Sequence, residues 1–208
     1  FKSNIILSNE LESSACPEVG FRLIKGVKND SSSESMQSRF SATGIKIISS
    51  LVDVTNFLTF DRCRPLHVFD FDKVKGNITI RYSKDGEEFT GLDGIKYKLE
   101  NDMVVICDDN GIISLAGIMG GERTGCDIDT KNVLLESAYF LPERIAFAGR
   151  KLSIQSDARY RFERGIDPAS TLEGLNIATQ LIQEKCGGEV GSIIHSGGFK
   201  NKITKIKL

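Results

Sequence analysis

Met103–Ile118 reads MVVICDDNGIISLAGI. Two apolar runs, Met103–Cys107 and Ile112–Ile118, flank the turn dipeptide Asn110-Gly111, which is the mark of a β-hairpin. Working outward, Asp85-Gly86 and Asp93-Gly94 give two more turns on the N-terminal side. GNITIRYS, over residues 76–83, alternates at Ile78 and Ile80 with the period of a half-buried strand. On the C-terminal side Val133–Ala138 reads as a buried strand. Strands therefore dominate from His67 to Phe140.

Helices flank this block. The first 14 residues are polar and read as an irregular segment, followed by a strand at Phe21–Val27. The serine-rich loop Asn29–Glu34 supplies caps for a helix starting near Ser33. A second helix is expected over Ile48–Phe60, ending before Pro65. Pro142 begins a short helix that Gly149 is expected to end. In the last helix Ser170 and Glu173 form a capping-box pattern. Leu172, Leu175, Ala178, Leu181 and Ile182 share one of its faces, and Gly187-Gly188 closes it. Weak strands are expected at Val190–His195 and Lys202–Leu208. Antiparallel hairpins between helices give an α+β fold rather than a doubly wound sheet. An internal module boundary is expected near residues 73–76.

With 208 residues the chain can bury a sizeable core. No apolar run approaches the ~20 residues of a membrane span, and no secretory leader opens the chain. It begins with Phe1 rather than Met and is read as a fragment of a longer protein. Five irregularly spaced cysteines without a Cys-x-x-Cys pair argue against a disulfide framework and a structural zinc site, and fit a reducing cytosol. A net charge of −1 argues against a free-standing, charge-driven nucleic-acid binder. It leaves room for a module that meets RNA while other domains supply most of the affinity.

Several segments carry residues that a generic fold does not need. They are LVDVTNF (51–57), RPLHVFD (64–70), AGIMGG (116–121), LLESAYF (134–140) and SDARYRFERGIDP (156–168). His67, Asp70 and Asp72 make a His-x-x-Asp-x-Asp group, but without a second nitrogen or sulfur ligand the plainer reading is a structural histidine. AGIMGGERTG is glycine-rich yet lacks both nucleotide-loop signatures, so a tight turn after a buried strand competes with a close ligand approach. Glu136 lies in an apolar run, where a carboxylate is costly unless it is paired or has work to do. A buried ion pair with a nearby arginine is the structural alternative. Arg159, Arg161 and Arg164 read as ion pairs with Asp157, Glu163 and Asp167, with RNA phosphate contact as the second reading. No Ser-His-Asp pattern supports Ser156 as a nucleophile, and His195 reads as a surface residue.

In this order and spacing the five segments resemble the editing domain of the bacterial-type phenylalanyl-tRNA synthetase β-subunit, over 15–198. Residues 1–14 then form an irregular N-terminal segment and 199–208 a C-terminal strand or linker. The resemblance implies two interlocked modules of mixed and antiparallel sheet with flanking helices and a cleft between them. It implies hydrolysis of tyrosine mischarged on the phenylalanine tRNA. Tyrosine differs from phenylalanine by one hydroxyl, which an apolar pocket rejects only on the order of 10²-fold. A site that bonds the hydroxyl rejects phenylalanine by ~10⁴-fold or more.

Glu136 matches the family's residue for that discrimination. His67 is the implied catalytic residue, holding water or contacting the terminal adenosine. Gly120, Pro65, Ser156 and Ala158 are implied to shape the substrate pocket. At Ser156 the family usually has threonine. Lys46 stands where it commonly has arginine and so loses the planar fork. No cofactor or metal is implied in this domain. ATP and Mg²⁺ serve aminoacylation on the α-subunit of an α2β2 enzyme in the cytoplasm. A structural, tRNA-contacting module without hydrolysis is the alternative.

Overall fold

The computed structural model describes residues 1–199. In chain order the elements begin with β1 (Leu7–Asn9), β2 (Glu18–Lys25), α1 (Glu34–Thr43), α2 (Ser50–Asp61) and β3 (His67–Asp70). The middle of the chain forms β4 (Ile78–Tyr82), β5 (Glu88–Thr90), β6 (Lys96–Lys98), β7 (Val104–Asp108), β8 (Gly111–Leu115), β9 (Met119–Gly120) and β10 (Asn132–Tyr139). The last part forms α3 (Pro142–Lys151), α4 (Asp157–Phe162), α5 (Thr171–Cys186) and β11 (Glu189–Gly197). The fold is α+β, as expected.

One sheet runs β1-β4-β7-β8-β9 and a second runs β11-β2-β10-β3, with β5 and β6 forming a separate hairpin. All pairs are antiparallel except β1–β4. The β7–β8 hairpin forms as read, with Asp108 opposite Gly111. In the four-stranded sheet, strands β2, β10 and β3 are buried on both faces. Phe21, Phe69, Leu134 and Ala138 pack toward the five-stranded sheet in one core. Ile24, Val68 and Leu135 pack against Leu51, Val54 and Leu58 of α2 and Leu175, Ala178 and Ile182 of α5 in another. That two-sided burial is why LLESAYF is apolar at nearly every position. The neighbours Leu134 and Leu135 enter opposite cores because side chains alternate across a strand.

Several local expectations are corrected. The first 14 residues contain β1, because Leu7–Asn9 pairs in parallel with Ile78–Ile80. The expected Phe21–Val27 strand starts earlier, at Glu18, where β10 and β11 both pair with it. The second helix starts at Ser50, two residues late. The expected Ile112–Ile118 strand stops at Leu115, and the chain turns back through residues 116–118 into β9.

Ser33 precedes α1, but its hydroxyl meets Ser35 instead of capping the helix. Gly149 does not end α3. It lies inside the helix because the Arg159 guanidinium fills the space a Cβ would need, and Arg159 donates to its carbonyl at 3.0 Å. Ser170 precedes α5 without capping it, since its hydroxyl donates to the Asp167 carbonyl and accepts from Arg64. The strand expected at Lys202–Leu208 lies outside the described residues.

Candidate functional site

The site forms where β3 meets β10. Glu136 stands opposite His67 on β3 and opposite Phe21 on β2. Directly opposed residues of an antiparallel pair point to the same face, with Cβ atoms ~5 Å apart. Here that face looks toward the five-stranded sheet, because Leu134 and Ala138, two residues either side of Glu136, join the core between the sheets. A pocket of ≈ 70 Å³ opens at this point. Pro65, Leu66 and His67 form one wall, Gly117–Gly120 a second, and Ala158 and Phe162 of α4 a third, with Glu136 and Ser114 completing it.

Glu136 is 6% exposed. Among the described residues it has neither a hydrogen-bond partner nor an ion pair. Burial raises its carboxyl from the ordinary 4.5 to about 7, and the Arg64 charge pulls the other way. The expected arginine ion pair is absent because Arg64 gives its donors to Ser170 and to the carbonyls of Ala138 and Asp167.

His67 packs edge-on against Phe69, with ring centroids 4.4 Å apart. Its Nε2 is buried without a hydrogen-bond partner among the described residues. Burial holds the imidazole at about 4, below the ordinary 6.5, so it is neutral near neutrality. Gly120 is a glycine for a steric reason, since a Cβ there would overlap the imidazole. The site thus places a neutral imidazole beside a carboxyl poised near pH 7, a proton acceptor next to a group that changes charge at neutrality.

Of the residues named from sequence, Pro65, His67, Gly120, Glu136 and Ala158 come together in the pocket. Ser156 does not line it. Its hydroxyl caps α4 by accepting from the Arg159 amide at 3.0 Å and donates to the carbonyl of Ile118 at 2.7 Å. Lys46 is exposed in the α1–α2 loop and does not line the pocket.

Asp70 and Asp72 do not converge on His67. Asp70 accepts from Thr130 and pairs with Lys73, and Asp72 accepts from Asn132. Among the described residues no group of three His, Cys, Asp or Glu side chains is placed to hold a metal. Arg159 pairs with Glu163, Arg161 with Asp157 and Arg164 with Glu163. Asp167 takes no arginine on its carboxylate, which instead accepts from the Ala169 amide.

A model of the B3/4 domain matches residues 15–187. This chain belongs to the B3/4 domain family. The domain is similar to the phenylalanine–tRNA ligase β-subunit of Rhodopseudomonas palustris, with 54% identity over 186 residues, 89% of this chain and 23% of the relative. The same-named subunit of Paramagnetospirillum magneticum is 51% identical over 200 residues, 95% of this chain and 25% of the relative. The chain therefore spans about a quarter of the length of the curated relatives it matches. Among solved structures, the fold resembles an N-terminal fragment of the phenylalanyl-tRNA synthetase β-subunit from Pyrococcus horikoshii. The TM-score is 0.61 at 17% identity, covering 97% of this chain and 56% of that one. That likeness is one of fold.

In the B3/4 domain, sequence reasoning missed Leu66, Ser114, Gly117, Ile118, Met119 and Phe162 as pocket residues. Five of them sit inside segments already marked as unusual, so the motif was visible while the facing side chains were not. Ser114 gave no signal. No helix is long and apolar enough to cross a membrane among the described residues.

Proposed function

We propose that this B3/4 domain is part of a phenylalanine–tRNA ligase β-subunit and hydrolyses the ester joining tyrosine to the tRNA for phenylalanine. The observation that carries the reading is Glu136, an unpaired buried carboxyl at the floor of a pocket, opposite an unpaired imidazole nitrogen. A buried acceptor without a partner is costly. The phenolic hydroxyl of tyrosine removes that cost, and phenylalanine leaves it in place. Discrimination therefore favours tyrosine in the direction that an apolar synthetic pocket cannot achieve.

An aminoacyl ester needs an oriented water more than a strong nucleophile. In this reading the free Nε2 of neutral His67 accepts a proton from a water as it attacks the carbonyl carbon. The ester C–O bond breaks, the proton passes to the ribose oxygen that leaves, and tyrosine and free tRNA are released. Pro65, Gly120 and Ala158 shape the wall against the aminoacyl group. Ser156 acts through the α4 cap and the Ile118 carbonyl, and Lys46 on its exposed loop is left to meet RNA.

The partners are the tyrosine-charged tRNA and the α-subunit of an α2β2 enzyme in the cytoplasm. ATP and Mg²⁺ belong to that enzyme's aminoacylation site. The alternative, a structural tRNA-contacting module without hydrolysis, is favoured by the structural bonding of Ser156 and of the Arg159–Arg164 segment.

The test uses this chain and its Glu136→Ala variant with tRNA carrying tyrosine and tRNA carrying phenylalanine. Release of tyrosine alone, with selectivity lost in the variant, is the expected result. If neither ester is cleaved by the chain or by the complete α/β enzyme, the reading fails.

A further inference from the structure

We propose that Arg64 is a positioning residue: it locks the Pro65–His67 wall against β10 and supplies the positive field in which Glu136 receives a phenolic hydroxyl. The inference rests on the editing reading for its substrate, and on geometry for the rest.

Arg64 is 1% exposed, which for a guanidinium demands near-complete hydrogen bonding. It donates to the Ser170 hydroxyl through Nε at 2.9 Å and through Nη2 at 2.5 Å. Nη1 donates to the Ala138 carbonyl at 2.8 Å, and Nη2 also reaches the Asp167 carbonyl. One side chain thus ties together the turn before α5, the strand carrying Glu136, and the segment leading into His67. All its acceptors are neutral, and among the described residues it forms no ion pair. No carboxylate touches the guanidinium, and the negative groups whose charge reaches it are Asp167, Glu18, Cys63 and Glu136. Pro65 after it disfavours a helical backbone at Arg64. Gly174 on α5 makes room for it, since a Cβ there would stand 2.7 Å from Arg64 Cγ. Lysine carries its three donors on one nitrogen and lacks the planar fork that reaches these three separated acceptors.

The groups around Glu136 are few. His67 faces it from β3, Arg64 lies before that strand, and Cys16, whose thiol burial and Glu136 push up, lies before β2. Glu18 begins β2, and α4 contributes Ala158 and Phe162 to the pocket. Arg159 is committed to Glu163 and to backbone carbonyls. Arg64 is accordingly the cation that acts on Glu136.

The test compares Arg64→Lys, Arg64→Met and Ser170→Ala in the full chain. Infrared titration with ¹³C-glutamate, differenced against Glu136→Gln, reads the Glu136 carboxyl. NMR of the His67 ring reads the wall, and the ratio of tyrosyl to phenylalanyl ester hydrolysis reads selectivity. Arg64→Met is expected to raise the Glu136 midpoint by on the order of one pH unit. Arg64→Lys is expected to keep the midpoint, shift the His67 resonances and lower selectivity at least ~10-fold. Ser170→Ala, which keeps the cation, is expected to do the same to a smaller degree.

A folded Arg64→Met protein with an unshifted Glu136 overturns the field. If that variant does not fold, unchanged His67 resonances in Arg64→Lys and Ser170→Ala overturn the positioning role. If the unmodified chain and the complete enzyme cleave neither ester, the editing reading falls, and the two spectroscopic readouts still decide the role of Arg64.

Discussion

His67 and Glu136 stand opposite each other across the β3–β10 pair with their proton affinities in inverted order. In water a histidine holds its proton to higher pH than a glutamate does. Here burial disfavours both charged forms, so the carboxyl titrates near 7 and the imidazole near 4.

The inversion sets a pH signature. Glu136 has a raised folded value, so its contribution is complete below the ordinary 4.5 and is lost as pH rises through about 7. His67 has a lowered folded value, so its contribution is complete above 6.5 and is lost as pH falls through about 4. Between 4.5 and 6.5 the two slopes are equal and opposite, and this pair makes no net contribution to the pH dependence. Glu136→Gln uncovers the histidine, and stability then rises with pH by about 1.4 kcal/mol per unit relative to the unmodified protein. His67→Phe uncovers the glutamate and reverses the sign. Urea denaturation at half-unit steps checks this, and parallel curves for all three proteins would refute it.

Above pH 7 the same bookkeeping makes Glu136→Gln a stabilising change. The carboxylate that burial penalises is gone, and the gain at pH 8 is at most about 3 kcal/mol. The gain comes with lost tyrosine selectivity, the trade-off expected where a site holds strain for function. Thermal unfolding at pH 8 and ester hydrolysis on the same sample test both halves.

Gly120→Ala drives a methyl group into the His67 ring. Overpacking of this kind costs about 1–3 kcal/mol. Because the clash is with one side chain, the cost falls sharply when the substitution is made in a His67→Ala background. A double-mutant cycle measures this, and an undiminished cost in that background would show that the strain lies elsewhere.

Ser156→Ala removes the α4 cap and the tie to Ile118. The expected loss is about 0.5–2 kcal/mol, with weaker hydrolysis because Ile118 lines the pocket. Ser156→Thr keeps the oxygen and is expected to stay close to the unmodified protein in both measurements. Equal losses in the alanine and threonine variants would exclude the hydroxyl as the cause.

Much of this was legible in the chain. The β7–β8 hairpin followed from apolar runs around Asn110-Gly111, and α5 followed from the 3.6-residue spacing of Leu175, Ala178 and Ile182. Glu136 stood out because a carboxylate in LLESAYF contradicts its neighbours. Local rules failed where a distant side chain intervened. Gly149 should end a helix and does not, because Arg159 needs its missing Cβ. Ser170 should cap α5 and does not, because Arg64 takes its oxygen.

Sequence alone therefore determined the kinds of element, their order and the unusual residues, since periodicity, turn chemistry and burial cost act over a few neighbours. Only the tertiary structure decided which of those residues share a pocket. Register across β3 and β10 sets His67 against Glu136, and the packing of α4 brings Ala158 and Phe162 over them while turning Ser156 to a structural bond. It also decided that Arg64 leaves Glu136 unpaired, because its donors are spent on three neutral oxygens brought together from distant parts of the chain.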